Sequence, residues 1–347
     1  NPGEEDVGRN FANTRANIIV SNGPDLGPIH NRLTNSQTSN QSTALSAVSG
    51  TQALAIGGPT DGELASAQTS GAMFLTGSDL KSNMRLPVNI WVQGQPIYFE
   101  DDTGGGDRDG HAGLGFLGGD VLVGSSVLLG IMAQFDWIDE SSPVSDSKID
   151  GEGWMVGPYV SVRLLPQVFL DARAAWGQSS NTVDWLATNN RDKFDTDRML
   201  LSARLSATLR KPDMPNMRIA PSVSVSYFDE TQHSYNSAQT GFVPEQDISL
   251  GRATIGTEFG YTFDNADGTK IEPLIAIKGI WDFEKDDITT IGGQVVSPND
   301  VRGLVEAGAT ITSSSGLTLR ATGSYDGIGD DDFEAYKGQL FVIMPFN

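Results

Sequence analysis

The sequence predicts an all-β membrane protein: a twelve-stranded antiparallel transmembrane β-barrel with an N-terminal helical and linker segment that enters the pore. Three observations carry this. From about Leu86 onward apolar and polar residues alternate almost without a break, giving twelve strand candidates. Long and short connections between them fall on opposite ends, as in a barrel with loops on one side of a membrane and tight turns on the other. Aromatic rings gather on the apolar face near the long-loop ends, the level at which an amphipathic ring meets a lipid interface.

Composition agrees. Only 38 % of the 347 residues are hydrophobic, low for a large apolar core and natural where a strand shows lipid one face. No segment approaches the ~20 apolar residues of a membrane-spanning helix. A net charge of −21 leaves no basic stripe for phosphates, which excludes nucleic acid. Cysteine is absent, so there is neither a disulfide framework nor thiolate chemistry. The chain opens at Asn1 without a basic and apolar leader, so a signal peptide is expected to have been removed or to lie outside this chain.

The elements divide into residues 1–85, helical and linker, and 86–347, the barrel. EDVGRNFANTRANIIVSN (5–22) predicts a helix with Val7, Phe11, Ile18 and Ile19 on one side, ended by NGPD. NRLTNSQTSNQSTALSAVSG (31–50) reads as a flexible linker. GELASAQTSGAMFLTGSDLKSN (62–83) reads as a second helix, whose small side chains suit a narrow polar channel. Strands follow at 88–100, 110–121, 126–136, 153–164, 168–178, 197–210, 218–232, 248–263, 270–284, 301–312, 317–326 and 335–346. LVGSS, LLPQ, KPDMPN, DNADGT and SSSG are short turns. DDTGGGDRDG, DWIDESSPVSDSKIDGEG, SSNTVDWLATNNRDKFD, HSYNSAQTGFVPEQD, KDDITTIGGQVVSPND and GIGDDDFE read as long loops.

The stretch GWMVGPYVSVRLLPQVFLDARAAWG (153–177) shows both faces. Trp154, Val156, Val160 and Val162, then Leu170, Ala172, Ala174 and Trp176, hold one side, while Arg163, Asp171 and Arg173 hold the other. Parity extended over all strands assigns Arg163, Asp171, Arg173, Arg198, Arg204, Glu258, Glu272, Lys278, Glu306 and Arg320 to a wet, mixed-sign pore lining. It assigns Trp137, Trp154, Trp176, Tyr227, Trp281 and Tyr325 to an aromatic girdle.

Few motifs carry chemistry. GLGFLG (113–118) fits the dinucleotide fingerprint but lies inside a strand with no following helix, so it reads as small residues in a barrel wall. SDLK (78–81) lacks the companion signatures of a Ser–Lys enzyme. His30, His111 and His233 are isolated, without metal spacing, and no nucleophile constellation is readable, so an enzyme is not expected. Asp101, Asp102, Asp107 and Asp109 crowd a Gly-rich loop as candidate Ca²⁺ or Mg²⁺ ligands. Their plainer reading is solvated charge, bridged by divalent ions to anionic headgroups. No other cofactor is expected.

The carrying stretches DDTGGGDRDGHAGLGFLGGDVLVGSSVLLGIMAQFDW, GEGWMVGPYVSVRLLPQVFLDARAAWGQSSN, FDTDRMLLSARLSATL and ISLGRATIGTEFGYTF resemble the translocator β-domain of autotransporters, the type V secretion proteins of Gram-negative bacteria. The style is closest to alphaproteobacterial members. The resemblance implies a barrel in the outer membrane that anchors and helps export an N-terminal passenger, with a helix just before the first strand running through the pore. It also implies the barrel assembly machinery, outer-membrane lipid and lipopolysaccharide as partners. The ending YKGQLFVIMPFN resembles the insertion signal of such barrels, carried by Tyr336, Gly338, Phe341 and Phe346, although Pro345 and Asn347 depart from its usual form. The alternative is a free-standing, porin-like channel or structural barrel without a passenger, its N-terminal segment a tether.

Overall fold

The computed structural model describes residues 2–24, 33, 45–48, 51–54, 68–69, 72–76, 88–101, 107–211, 213–238, 241–286, 288–289, 295–296, 300–314, 318–330 and 335–343. Helix α1 covers Pro2–Ser21. The wall comprises β1 (Val88–Asp101), β2 (Arg108–Val123), β3 (Val127–Ser142), β4 (Ser147–Leu165), β5 (Val168–Trp185), β6 (Asn190–Ala207), β7 (Met214–Gln232), β8 (Gln246–Tyr261), β9 (Lys270–Lys285), β10 (Val301–Thr312), β11 (Thr318–Ile328) and β12 (Ala335–Ile343). Each pairs antiparallel with the next in chain order, so every strand candidate is found. β12 returns beside β1, and the barrel is nearly closed.

Period-two alternation sets the two faces. Ile131, Trp137, Ile255 and Trp281 face outward and are 66, 51, 67 and 53 % exposed. Phe135, Trp154, Val156, Trp176, Leu205, Val225 and Ile277 join them in an apolar band around the wall. A band of this extent marks a surface that meets lipid or protein rather than water. The inward rows carry the charged and small polar residues, with one departure from the sequence expectation. On β2 to β5 the lumen is substantially apolar: Leu114, Phe116, Leu128, Met132, Met155 and Tyr159 are all buried there. Phe11, Ala16, Ile18 and Ile19 of α1 and the isolated Leu33 belong to the same hydrophobic cluster, so half of the lumen acts as an ordinary core for the segment inside it.

Two expected loops are strand. In DWIDESSPVSDSKIDGEG the ladder runs on until Ser142 pairs with Ser147. In SSNTVDWLATNNRDKFD it runs until Trp185 pairs with Asn190. Charge suggested loop, but alternation continues through it: Ile138 and Ile149 stay inward and buried while Asp139 and Lys148 stay exposed. Above a lipid band the outer face meets water, so a charged outer row is compatible with strand. Between β7 and β8 a small hairpin, Tyr235–Ser237 with Gly241–Val243, folds onto the β5 and β6 ends. Asp192 accepts hydrogen bonds there from Trp185 Nε1 (3.1 Å), Ser237 Oγ (2.8 Å) and the Ala238 amide (2.8 Å), and Tyr235 stacks on Phe194.

The N-terminal readings need correction. The helix expected at 5–22 is present. The second helix expected at 62–83 is not: its described residues, Gln68–Thr69 and Ala72–Thr76, are strand. Within the linker expected at 31–50, Leu45–Val48 pairs with Thr51–Leu54. The short run AMFLT between glycines is long enough for a strand and too short to develop a helical face.

The two faces make opposite predictions for neighbouring residues. Ile255→Arg on the outer face should destabilise the barrel in vesicles by about 2–4 kcal/mol, whereas Thr254→Lys on the lumen row should change it by less than about 1 kcal/mol. Urea titration of the heat-modifiable gel shift measures both.

A helix docked in the lumen as the candidate functional site

Helix α1 lies inside the barrel, its N-terminal half toward the loop end. Gly8 sits against Gln232 and Phe194, Arg9 is 3.8 Å from Asp286, and the carbonyl of Gly23 accepts a bond from Gln95 at mid-wall. The helix has an apolar side of Phe11, Ala12, Ile18 and Ile19 and a polar side of Asn10, Asn13, Asn17 and Ser21. The first packs on the apolar rows of the wall. The second faces β8 to β10 across a cavity of about 50 Å³ lined by Asn13, Asn17, Ser249, Arg252, Asp282 and Arg302, among others.

Three polar clusters hold the helix. In the first, Arg15 is completely buried and donates from Nε (2.9 Å) and Nη2 (2.5 Å) to Asp136 Oδ2 and from Nη1 to Asn181 (2.5 Å). Arg198 donates to both oxygens of the same carboxylate at 3.1 and 3.0 Å and to the carbonyls of Trp154 and Gln178. Such bidentate, charge-assisted bonds are the strong ones. The space is made by Gly151 and Gly153. A Cβ at Gly153 would lie 2.0 Å from Arg198 Nη2, and one at Gly151 would lie 2.8 Å from Phe11 and 3.1 Å from Arg15.

In the second cluster Arg252 pairs with Asp282 through two bonds of 2.5 and 2.7 Å, and Arg302 donates to Asp282 (3.0 Å) and Asp326 (2.8 Å). Asn17 accepts from both arginines at 2.7 and 3.2 Å, and Ser21 accepts from Arg252 at 2.6 Å. In the third, Arg108 bonds Asp101 (2.8 Å) and Thr14 donates to the same carboxylate (3.3 Å).

The parity-assigned lining residues fall as follows. Asp171 is buried and accepts from Ser161; buried Arg173 donates to Gln134 and lies over Phe116. Arg198 belongs to the first cluster. Glu258 and Glu272 both receive Arg218, and Lys278 pairs with Glu306 at 3.4 Å. Arg204 stands on the same row opposite Asp171, open to water. Arg163 sits at the turn end, bonded to the Ser125 carbonyl, and Arg320 has its ladder place opposite Thr310. Trp137, Trp154, Trp176 and Trp281 are on the outer face, and half-buried Tyr227 and Tyr325 share their rows.

The acidic loop set is divided: Asp101 points into the lumen, while Asp109 is exposed and bonded by Ser141, and Asp107 is exposed. Asp102 lies outside the described residues. Among those residues no three His, Asp or Glu gather to hold a metal. His111 packs edge-on against Tyr98 and His233 pairs with Asp197 at 2.9 Å; His30 is not described. Of the terminal signal, Tyr336 packs on Tyr325, Gly338 and Phe341 pair with Gly323 and Arg320, and Phe346 is outside the described residues.

Sequence reasoning missed Arg15, Asp136, Asn181, Arg252 and Arg302 as a set. One signal was available. Asp136 is the lone acid on the inward row of VLLGIMAQFDW, facing the glycines of GEG on the next strand.

Asp136→Ala should leave two buried guanidiniums without their carboxylate and destabilise the barrel with its docked helix by about 3–5 kcal/mol. Gly153→Val should displace Arg198 and loosen α1 while leaving the strands paired. Urea unfolding and protease sensitivity of α1 in vesicles separate the two effects.

The autotransporter β-domain family model matches residues 90–324. Among solved structures, the β domain of the Bordetella autotransporter BrkA shares 16 % identity over 72 % of this chain and 95 % of that one, with a TM-score of 0.54. For the transport unit of AIDA-I from Escherichia coli the values are 14 %, 77 %, 93 % and 0.55. For the translocator domain of NalP from Neisseria meningitidis they are 11 %, 74 %, 86 % and 0.53. At these identities the shared property is the fold. No curated protein matches the chain. With more than half its length covered by the family model and every expected strand in the wall, the chain belongs to the autotransporter β-domain family and is an outer-membrane barrel that exports a passenger.

Proposed function

We propose that α1 is the part of the exported chain that comes to rest in the lumen and closes the pore, with residues 86–347 as the translocator that carries it. The observation that supports this reading is the fit of one helix to two unlike surfaces: an apolar side on the core of the wall, and polar contacts to Asp136, Arg252, Arg302 and Asp101 on four different strands. In this reading the loop end faces outward and the turn end the periplasm. The passenger side then lies outside, ahead of α1, and the barrel supplies a path and an anchor rather than catalysis.

The girdle of Trp137, Trp154, Trp176, Tyr227, Trp281 and Tyr325 would set the depth of the barrel against lipid and lipopolysaccharide. The last strand, with Tyr336, Gly338 and Phe341, would address it to the assembly machinery. A free-standing channel is the weaker reading, because a lumen holding a docked helix offers little room for free diffusion.

Single-channel conductance in planar bilayers tests the plug. The full chain should show low conductance, and a chain beginning at Gly23 should show a severalfold increase. Equal conductance in both would overturn the assignment of α1 as plug. Asn17→Ala, which removes an acceptor shared by two guanidiniums, should weaken docking by about 2 kcal/mol and produce flickering openings between the two levels.

A further inference from the structure

The first barrel strand has two neighbours on its free edge. In the turn-end half of β1 the ladder pairs Ala72 with Gln93, Met73 with Val92, Phe74 with Trp91, Leu75 with Ile90 and Thr76 with Asn89. Gln68–Thr69 pairs in turn with Met73 and Ala72. The hydrogen-bonded order of the sheet therefore runs from β12 at one edge, round the wall to β1, and on to these two short strands. β12 lies beside both β1 and Gln68–Thr69. Among the described residues no ladder joins β12 to β1. The geometry places a hairpin between the first and last strands at the turn end, while the two strands approach each other directly elsewhere.

Two physical arguments make this more than an incidental contact. A strand edge within a hydrocarbon layer must find partners for its amides and carbonyls, since each unsatisfied group costs several kcal/mol. Some strand must therefore cover residues 89–93. The segment that does so is chemically suited to a lipid-facing wall. AMFLT is uncharged, and each of its five residues has a ladder partner on β1 between Asn89 and Gln93.

We propose that the hairpin Gln68–Thr76 is a wall element: it occupies the strand-accepting edge of β1 and holds the turn-end mouth wider than twelve strands would. Barrel diameter grows about linearly with strand number, so two added strands enlarge that mouth by about a sixth in diameter and about a third in area. The inference concerns the wall and stands whether or not α1 is the resting end of a passenger.

The absence of cysteine lets an introduced pair report one contact. L75C/I90C and F74C/W91C probe adjacent rungs, which in an antiparallel ladder alternate between Cα separations of about 4.5 and 5.5 Å, both within disulfide reach. In the full chain folded into vesicles, at least one pair should cross-link on oxidation, and the out-of-register pair T76C/I90C should form at least fivefold less. The width of the mouth is read separately, from the rate at which a bulky polymer-linked maleimide labels S224C on the lumen row, relative to a small maleimide. Deleting Gln68–Thr76 should lower that ratio severalfold, and Phe74→Pro, which removes one ladder amide, should lower it in the same direction. Failure of both in-register pairs to cross-link in protein that shows the folded gel shift would overturn the pairing. An unchanged labelling ratio in folded Phe74→Pro protein would overturn the widening.

Discussion

A backbone amide or carbonyl in hydrocarbon has no water to bond, and this constraint governs the whole molecule. It forces the chain into one continuous ladder from β1 to β12, because each strand must satisfy its neighbour's polar groups as well as its own. It also divides the side chains. The outer row answers to lipid and is apolar over the band that carries Ile131, Trp176 and Ile255. The inner row, released from that demand, is free to be apolar, charged or absent, and all three occur along β4: Met155, Arg163 and Gly153. What the lumen holds is decided by the segment it receives.

That segment is a helix that presents different chemistry on its two sides. Against β2 to β5 the contact is largely hydrophobic, pinned at one place by the bonds of Arg15 to Asp136 and Asn181. Against β8 to β10 it is made of directional bonds, where Asn17 is located by two guanidiniums at once. Of its charged side chains, buried Arg15 reaches a carboxylate that already belongs to Arg198, while half-exposed Arg9 meets Asp286 near the loop end. A replacement at any of these positions acts on a network, so the effects of paired replacements should not add.

How much of this was legible follows from the range of each interaction. Strand number and facing are local, written in residues two apart, and the alternation in GWMVGPYVSVRLL already separates Trp154 from Met155. The ends of the strands were harder to see, because acids such as Asp139 look like loop until the outer face is known to leave the lipid there. The segment around Met73 and Leu75 was misread because five apolar-leaning residues between glycines suit a short strand or part of a small-residue helix equally in composition. Only its partner, fifteen or more residues away at Ile90 and Val92, decides. The contacts of the docked helix were out of reach for a stronger version of the same reason: Arg15 and Asp136 are 121 positions apart, and nothing in either neighbourhood names the other.

The charged clusters of the wall also bear on the order of events. Asp136 has Arg198, Asp282 and Asp326 have Arg252 and Arg302, and Asp101 has Arg108, each pair formed between strands of the barrel itself. Apart from Arg15, what the helix adds at these places is neutral: Thr14, Asn17 and Ser21. These wall carboxylates therefore have cationic partners that do not depend on the helix, and the helix docks on a surface whose charges are already paired. On the proposed reading of α1, export and closure would then use one scaffold and differ only in which residues of the chain lie inside it.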